Sequence, residues 1–188
     1  MNPMKDTVID PATSATGNST ASMPAAERST TERSTTERSE RSERSTERAA
    51  DYTIYKPNSR GNGGVVRFGL NPVKAALFVD GAAQAGEKQF DWDNKITMKW
   101  SLADIGPVLA TLQGRQPQAK LFHQSEKANS AFDLTFRDDP ERAPYALSIS
   151  RQDAADKSLR KVSIPLTHAE AAILEAALRT AVSRLIGW

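Results

Sequence analysis

Apolar positions divide the 188-residue chain into a front stretch without period and a remainder that switches between strand and helix spacing. Large apolar side chains are nearly missing through the first fifty residues. From Tyr52 the pattern changes. Tyr52-Thr53-Ile54-Tyr55 alternates aromatic and β-branched residues, and a turn cluster at 58–64, including Asn62-Gly63, separates it from Val65-Val66-Arg67-Phe68-Gly69-Leu70. Lys74-Ala75-Ala76-Leu77-Phe78-Val79 predicts a third strand ended by Asp80-Gly81, and Lys95-Ile96-Thr97-Met98-Lys99-Trp100 predicts a fourth. In that fourth strand Ile96, Met98 and Trp100 share one face while Thr97 and Lys99 share the other, so one side is apolar and one is wet.

The period then lengthens. Ser101 is placed to cap a helix with Asp104 in its first turn, and Leu102, Ile105, Val108, Leu109 and Leu112 form an apolar stripe that stops at Gly114. Pro107 conflicts with this helix unless it lies near the start, because proline removes a hydrogen bond and kinks the segment. A second strand series follows at 120–123, 130–137, 145–150 and 160–164, ended by Pro165. Thr167-His168-Ala169-Glu170 has capping-box spacing and opens a helix carrying Leu174, Leu178, Ala181, Val182 and Leu185 at helical intervals. The order ββββα-ββββα predicts an α+β duplication, two antiparallel four-stranded sheets with a helix after each.

Composition sharpens the division. Between Glu27 and Arg48, Glu-Arg pairs recur among Ser and Thr every few residues, a low-complexity segment with no apolar stripe to offset the entropy of ordering, about 1–2 kcal/mol per residue. Residues 1–51 are therefore expected to be a disordered tether and residues 52–188 the folded domain. The tail carries 7 Lys/Arg and 9 Asp/Glu, leaving the domain 18 basic and 14 acidic residues, a net +4. That excess fits a polyanionic partner but is small for a duplex binder. With no cysteine, disulfides, thiolate metal sites and a cysteine nucleophile are excluded. No run approaches the roughly 18 apolar residues of a membrane span, and the front stretch lacks a secretory apolar core. A soluble cytoplasmic protein, with no membrane partner, is the expectation.

Catalytic chemistry finds few candidates. His123 lies on a predicted strand and His168 at a helix start, neither with a second imidazole at ligand spacing, so no metal or cofactor is expected. Asp138-Asp139 precedes Pro140 in a sequence typical of a turn. Arg60-Gly61-Asn62-Gly63-Gly64 lacks the Gly-Lys-Ser/Thr ending of a phosphate loop and leads into a strand. What accumulates instead is aromatic residues interleaved with cations. Phe90, Trp92 and Trp100 stand near Lys88, Lys95 and Lys99; Phe122, His123, Phe132, Phe136 and Tyr145 stand near Lys120, Lys127 and Arg137. Single strands are bound by such sets, since unpaired bases stack on aromatic faces while cations follow the phosphates. Strand aromatics also fill cores, and Trp100, on the Ile96/Met98 face, is the first to be assigned there.

A series of short motifs carries a family resemblance. In order they are Lys88-Gln89-Phe90-Asp91-Trp92, Ser101-Leu102-Ala103-Asp104-Ile105-Gly106, Leu121-Phe122-His123, Tyr145-Ala146-Leu147-Ser148-Ile149, Ile164-Pro165-Leu166-Thr167-His168-Ala169-Glu170 and Leu185-Ile186-Gly187-Trp188. Their order and spacing over about residues 74–188 resemble the Whirly family of single-stranded DNA-binding proteins. Val73-Lys74-Ala75-Ala76-Leu77-Phe78 echoes that family's Lys-Gly-Lys-Ala-Ala-Leu-Ser motif, with Pro72 and Val73 in place of its first Lys and Gly. The resemblance implies sheets packed across each other and a homo-oligomer, a tetramer above all. Single-stranded DNA would lie along sheet edges between subunits, and the last helix with Trp188 would serve assembly.

The expected binding set is Lys74, Lys88, Phe90, Trp92, Lys95, Lys99, Lys120, Phe122, His123, Lys127 and Arg137. Single-stranded DNA is the expected partner, bound without enzymatic activity and with little sequence preference. Single-stranded RNA is the alternative within the same fold, and a structural or partner-binding protein is the alternative outside it.

Overall fold

The β-branched and aromatic residues that follow the polar stretch form an edge strand, and most later apolar runs pair antiparallel with the run before them. The computed structural model describes residues 51–138 and 142–187; the Ser/Thr/Glu/Arg segment, Asp139 and Trp188 lie outside them. The first sheet contains β1 (Asp51–Lys56), β2 (Gly64–Asn71), β3 (Ala76–Gly86), the two-residue β4 (Gln89–Phe90) and β5 (Ile96–Trp100). All its pairs are antiparallel, in the order β1-β2-β3, with β4 and β5 each pairing with β3. The second sheet runs β6 (Gln118–Gln124), β7 (Ala128–Phe136), β8 (Tyr145–Asp153) and β9 (Leu159–Leu166), a four-stranded antiparallel meander. Helix α1 (Leu102–Leu112) follows the first sheet and α2 (His168–Leu185) follows the second, the predicted duplication with β4 as an addition.

Alternation decides what is buried. Val66, Phe68, Leu77, Val79, Ile96, Met98 and Trp100 from the first sheet meet Leu121, Phe132, Leu134, Leu147, Ile149, Val162 and Ile164 from the second in one core. Trp100 is wholly buried at the junction, edge-on to Phe132 at 4.6 Å and near Phe68 at 6.0 Å. Its position is the one the strand pattern assigns. The α1 stripe enters through Ile105, Val108 and Leu112, and the α2 stripe through Ala171, Leu174, Leu178 and Ala181.

Both helix starts are fixed by side chains. Asp104 Oδ2 accepts hydrogen bonds from the Ser101 backbone N–H at 2.8 Å and from its hydroxyl at 2.7 Å. At α2, Thr167 and Glu170 complete a reciprocal capping box, and Glu170 also pairs with Lys56 at 2.6 Å, tying the helix to β1.

Four expectations need correction. β3 does not end at Asp80-Gly81 but runs through to Gly86. Asp80 survives mid-strand because it is surrounded by donors, and Gly81 marks close packing between the sheets, since a Cβ there would lie 2.4 Å from Ile149 Cγ2. Pro165 does not stop β9, an edge strand that can present a missing N–H outward. Pro107 lies inside α1, which continues to Leu112; its carbonyl accepts from the Thr111 hydroxyl at 3.1 Å and Gln116 Nε2 at 3.0 Å. The α2 stripe, expected to serve assembly, is spent within the subunit core.

Candidate nucleic-acid interface

Opposite the core, the first sheet presents residues of the other parity. In register across it stand Thr53, Arg67, Asp80 and Thr97, and in the next row Asp51, Gly69, Phe78 and Lys99. Cations and rings are paired on this face. The Arg67 guanidinium carbon lies 5.1 Å from the Trp92 ring centre, and Lys74 Nζ lies 5.4 Å from that of Phe78. Tyr55, 57% exposed, tilts against Phe90 at 5.7 Å. These rings supply flat apolar surface beside positive charge, the combination that accommodates unpaired bases and their phosphates.

At the centre of the face is a buried acid. Asp80 is 5% exposed and accepts from Arg67 Nη2 at 2.5 Å, Thr97 Oγ1 at 2.5 Å and Lys95 Nζ at 3.1 Å. Burial alone would raise its carboxyl, but the hydrogen bonds from Thr97, Arg67 and Lys95, with the Lys95 charge, outweigh it and hold the group below the ordinary carboxylate range. The same bond raises Arg67 above its usual value despite the opposing effect of burial.

The outer face of the second sheet has a different chemistry. Its rows place Phe122, Ala131, Ser150 and Lys161 together, and Lys120, Asp133, Ser148 and Ser163 together. A shallow groove of about 470 Å³ runs over Asp133, Thr135, Arg137, Ser148, Lys161 and Ser163. Gln118 donates to Asp133 Oδ2 at 2.7 Å and to Thr135 Oγ1 at 3.0 Å, ordering one side of it. Small hydroxyl residues floor this face and cations rim it, while Phe122, 64% exposed, is its large exposed ring.

The predicted residues distribute unevenly. Phe90, Trp92, Lys95 and Lys99 come together around the outer face of the first sheet, with Lys74 in the β2–β3 turn above Phe78. Lys88 sits at positive φ in the β3–β4 turn, beside a groove shared with residues of the β1–β2 turn. Lys120, Phe122 and Arg137 belong to the second outer face, and Lys127 to the β6–β7 turn. His123 stands apart. It shares the parity of Ala119 and Leu121, and its Nε2 is 2.8 Å from Asp104 Oδ1, so it braces α1 against β6 rather than facing outward. That bond, with those from Ser101, keeps Asp104 below its ordinary value against the opposing effect of burial. Phe132 and Tyr145 join Trp100 in the core.

Sequence reading missed Arg67, Tyr55, Phe78 and Lys161. Alternation carried the signal for three of them: Arg67 falls between inward Val66 and Phe68, Phe78 between inward Leu77 and Val79, and Lys161 before inward Val162. Among the described residues no group of three or more His, Asp or Glu side chains could hold a metal ion, and no helix is long and apolar enough to cross a membrane.

The chain is 27% identical over 112 residues to the chloroplastic single-stranded DNA-binding protein WHY1 of Solanum tuberosum, covering 57% of this chain and 40% of that one. It is 25% identical over 108 residues to the mitochondrial single-stranded DNA-binding protein WHY2 of Arabidopsis thaliana, covering 55% of this chain and 44% of that one. The chain thus spans less than half the length of these curated relatives. The crystal structure of WHY1 from Arabidopsis thaliana superposes with a TM-score of 0.60 at 20% identity, covering 74% of this chain and 86% of that one. The structure of a guide-RNA-binding protein complex bound to a gRNA superposes at 0.57 with 17% identity, covering 78% and 98%. Both likenesses concern the fold. The model of the family described as Whirly transcription factor matches residues 69–177, more than half of the chain. The chain belongs to the Whirly family.

Proposed function

We propose that this chain is a non-enzymatic protein that binds single-stranded DNA with little sequence preference. Bases stack on the outer aromatic patch of the first sheet, and cations of both outer faces follow the phosphates. The observation that carries this reading is the pairing of Arg67 with Trp92, Lys74 with Phe78 and Tyr55 with Phe90 on the outer side of the first sheet of a Whirly-family domain. Stacking tolerates any base because every base has a π-face, which accounts for weak sequence preference. A duplex hides those faces. Protection or organisation of single strands in DNA metabolism or regulation is the role this binding fits.

Assembly as a homo-oligomer, a tetramer, belongs to the same proposal. Its support within the chain is the outer side of α2, where Ala169, Ala172, Ile173 and Ala176 are exposed, Ile173 by 54%. Small side chains there permit close approach of a second copy. Mass measurement with and without an oligonucleotide reads both assembly and ligand.

Electrophoretic comparison of single-stranded and duplex DNA at matched salt tests the function; preferential retention of the single strand is expected, and equal or absent binding to both would sink it. A second reading, single-stranded RNA, draws on the guide-RNA-binding neighbour of the same fold. Competition between DNA and RNA oligomers of one sequence separates them, since only RNA offers a 2′-hydroxyl.

A further inference from the structure

An acid at the middle of a surface that binds a polyanion runs against simple Coulombic reasoning, yet Asp80 occupies that place. Its carboxylate is buried on the outer side of β3, with Arg67 beside it on β2, Thr97 on β5 and Lys95 before β5. All three donors converge on it. Asp51, at the start of β1, contributes a weaker contact 4.0 Å from Arg67 Nε.

We propose that Asp80 is a positioning residue for single-strand binding: by holding Arg67 against Trp92, it prepares the stacking surface and so sets the base-dependent part of the affinity. This rests on the proposed function. Arg67 is engaged by Asp80 through Nη2, while its guanidinium carbon lies over the Trp92 ring. Its side chain remains 36% exposed, open to a ligand at its free edge. An unrestrained arginine samples many rotamers, and a ligand must then supply the ordering on arrival. Asp80 removes that cost beforehand. In the same way Lys95 is drawn toward the sheet centre, at the end of the loop that carries Trp92. The local charge is therefore reduced in exchange for geometry.

The two explanations predict opposite signs. If Asp80 acted only through charge, Asp80→Asn would remove a repulsive carboxylate and tighten binding to every polyanion. Positioning predicts that Asp80→Asn weakens binding to an ordinary single strand by about five- to tenfold, the loss expected when one long side chain must be ordered on binding. Binding to an abasic strand of equal length stays equal or tightens, because no base is present to use the stack.

Titrations of the full chain against both oligomers at one salt concentration provide the test, with thermal melting run beside them. Arg67→Lys, which keeps the charge and loses the planar group, should reproduce the base-selective loss; it also serves if Asp80→Asn fails to fold. In a Trp92→Ala background Asp80→Asn should cost nothing further. Equal weakening on base-bearing and abasic strands, or tightening on both, overturns the proposal. Failure of the unmodified chain to prefer single strands over duplex overturns the underlying function instead.

Discussion

The two sheets are alike inside and unlike outside. Their inner faces alternate the same large apolar residues and meet around Trp100 and Phe132. Their outer faces diverge: the first carries Tyr55, Phe78, Phe90 and Trp92 with paired cations, and the second carries a large exposed ring, Phe122, among serines, alanines, threonine and Asp133, rimmed by Lys120, Arg137 and Lys161. Core packing penalises change in volume on either side, whereas a solvent face is free to specialise. On the proposed function, the difference amounts to a division of labour, with bases on the first sheet and much of the backbone along the second.

The largest effects should come from the shared interior and should not distinguish the sheets. Trp100→Ala and Phe132→Ala each leave a cavity in the common core, and each should lower stability by about 3–5 kcal/mol in denaturant unfolding. A loss confined to one of them would break the picture of a single core. Next in size is Trp92→Ala, expected to cost about 1–3 kcal/mol of single-strand affinity by fluorescence-independent titration, with stability little changed. Phe122→Ala, the comparable change on the second sheet, should cost less.

Lys120→Ala with Lys161→Ala should weaken binding to base-bearing and abasic strands alike. The slope of log affinity against log salt should flatten by about 0.7 per lysine. Base-selective weakening there would erase the proposed division.

The smallest effect is acid sensitivity of the first outer face. Burial pushes Asp80 upward, but its three donors prevail and leave its folded value below the unfolded one. The resulting stability is complete above the unfolded value of about 4 and is lost as pH falls through the lower folded value. Asp80→Asn should accordingly flatten the low-pH limb of a melting-temperature profile.

Much of the fold was legible because its signals are local. Alternation identified the eight principal strands, and the Ser101 and Thr167 starts identified both helices. β4 escaped because two paired residues leave no period. Asp80-Gly81 reads as a turn in isolation; only the neighbouring strands supply the donors that neutralise the acid and the isoleucine that demands the glycine. The candidate interface was half legible. Phe90, Trp92, Lys95 and Lys99 lie within one short segment, so their grouping was visible, whereas Tyr55, Arg67 and Phe78 join them through pairing between strands. His123 misled because its aromatic and cationic neighbours in sequence face the opposite way.

Photochemical cross-linking of an iodouracil-substituted single strand, mapped by mass spectrometry, addresses the central claim most directly. Adducts should concentrate on Tyr55, Phe90 and Trp92, with the second sheet labelled weakly through Phe122. Adducts confined to the second sheet or to the helices, with the first outer face unlabelled, would contradict the account.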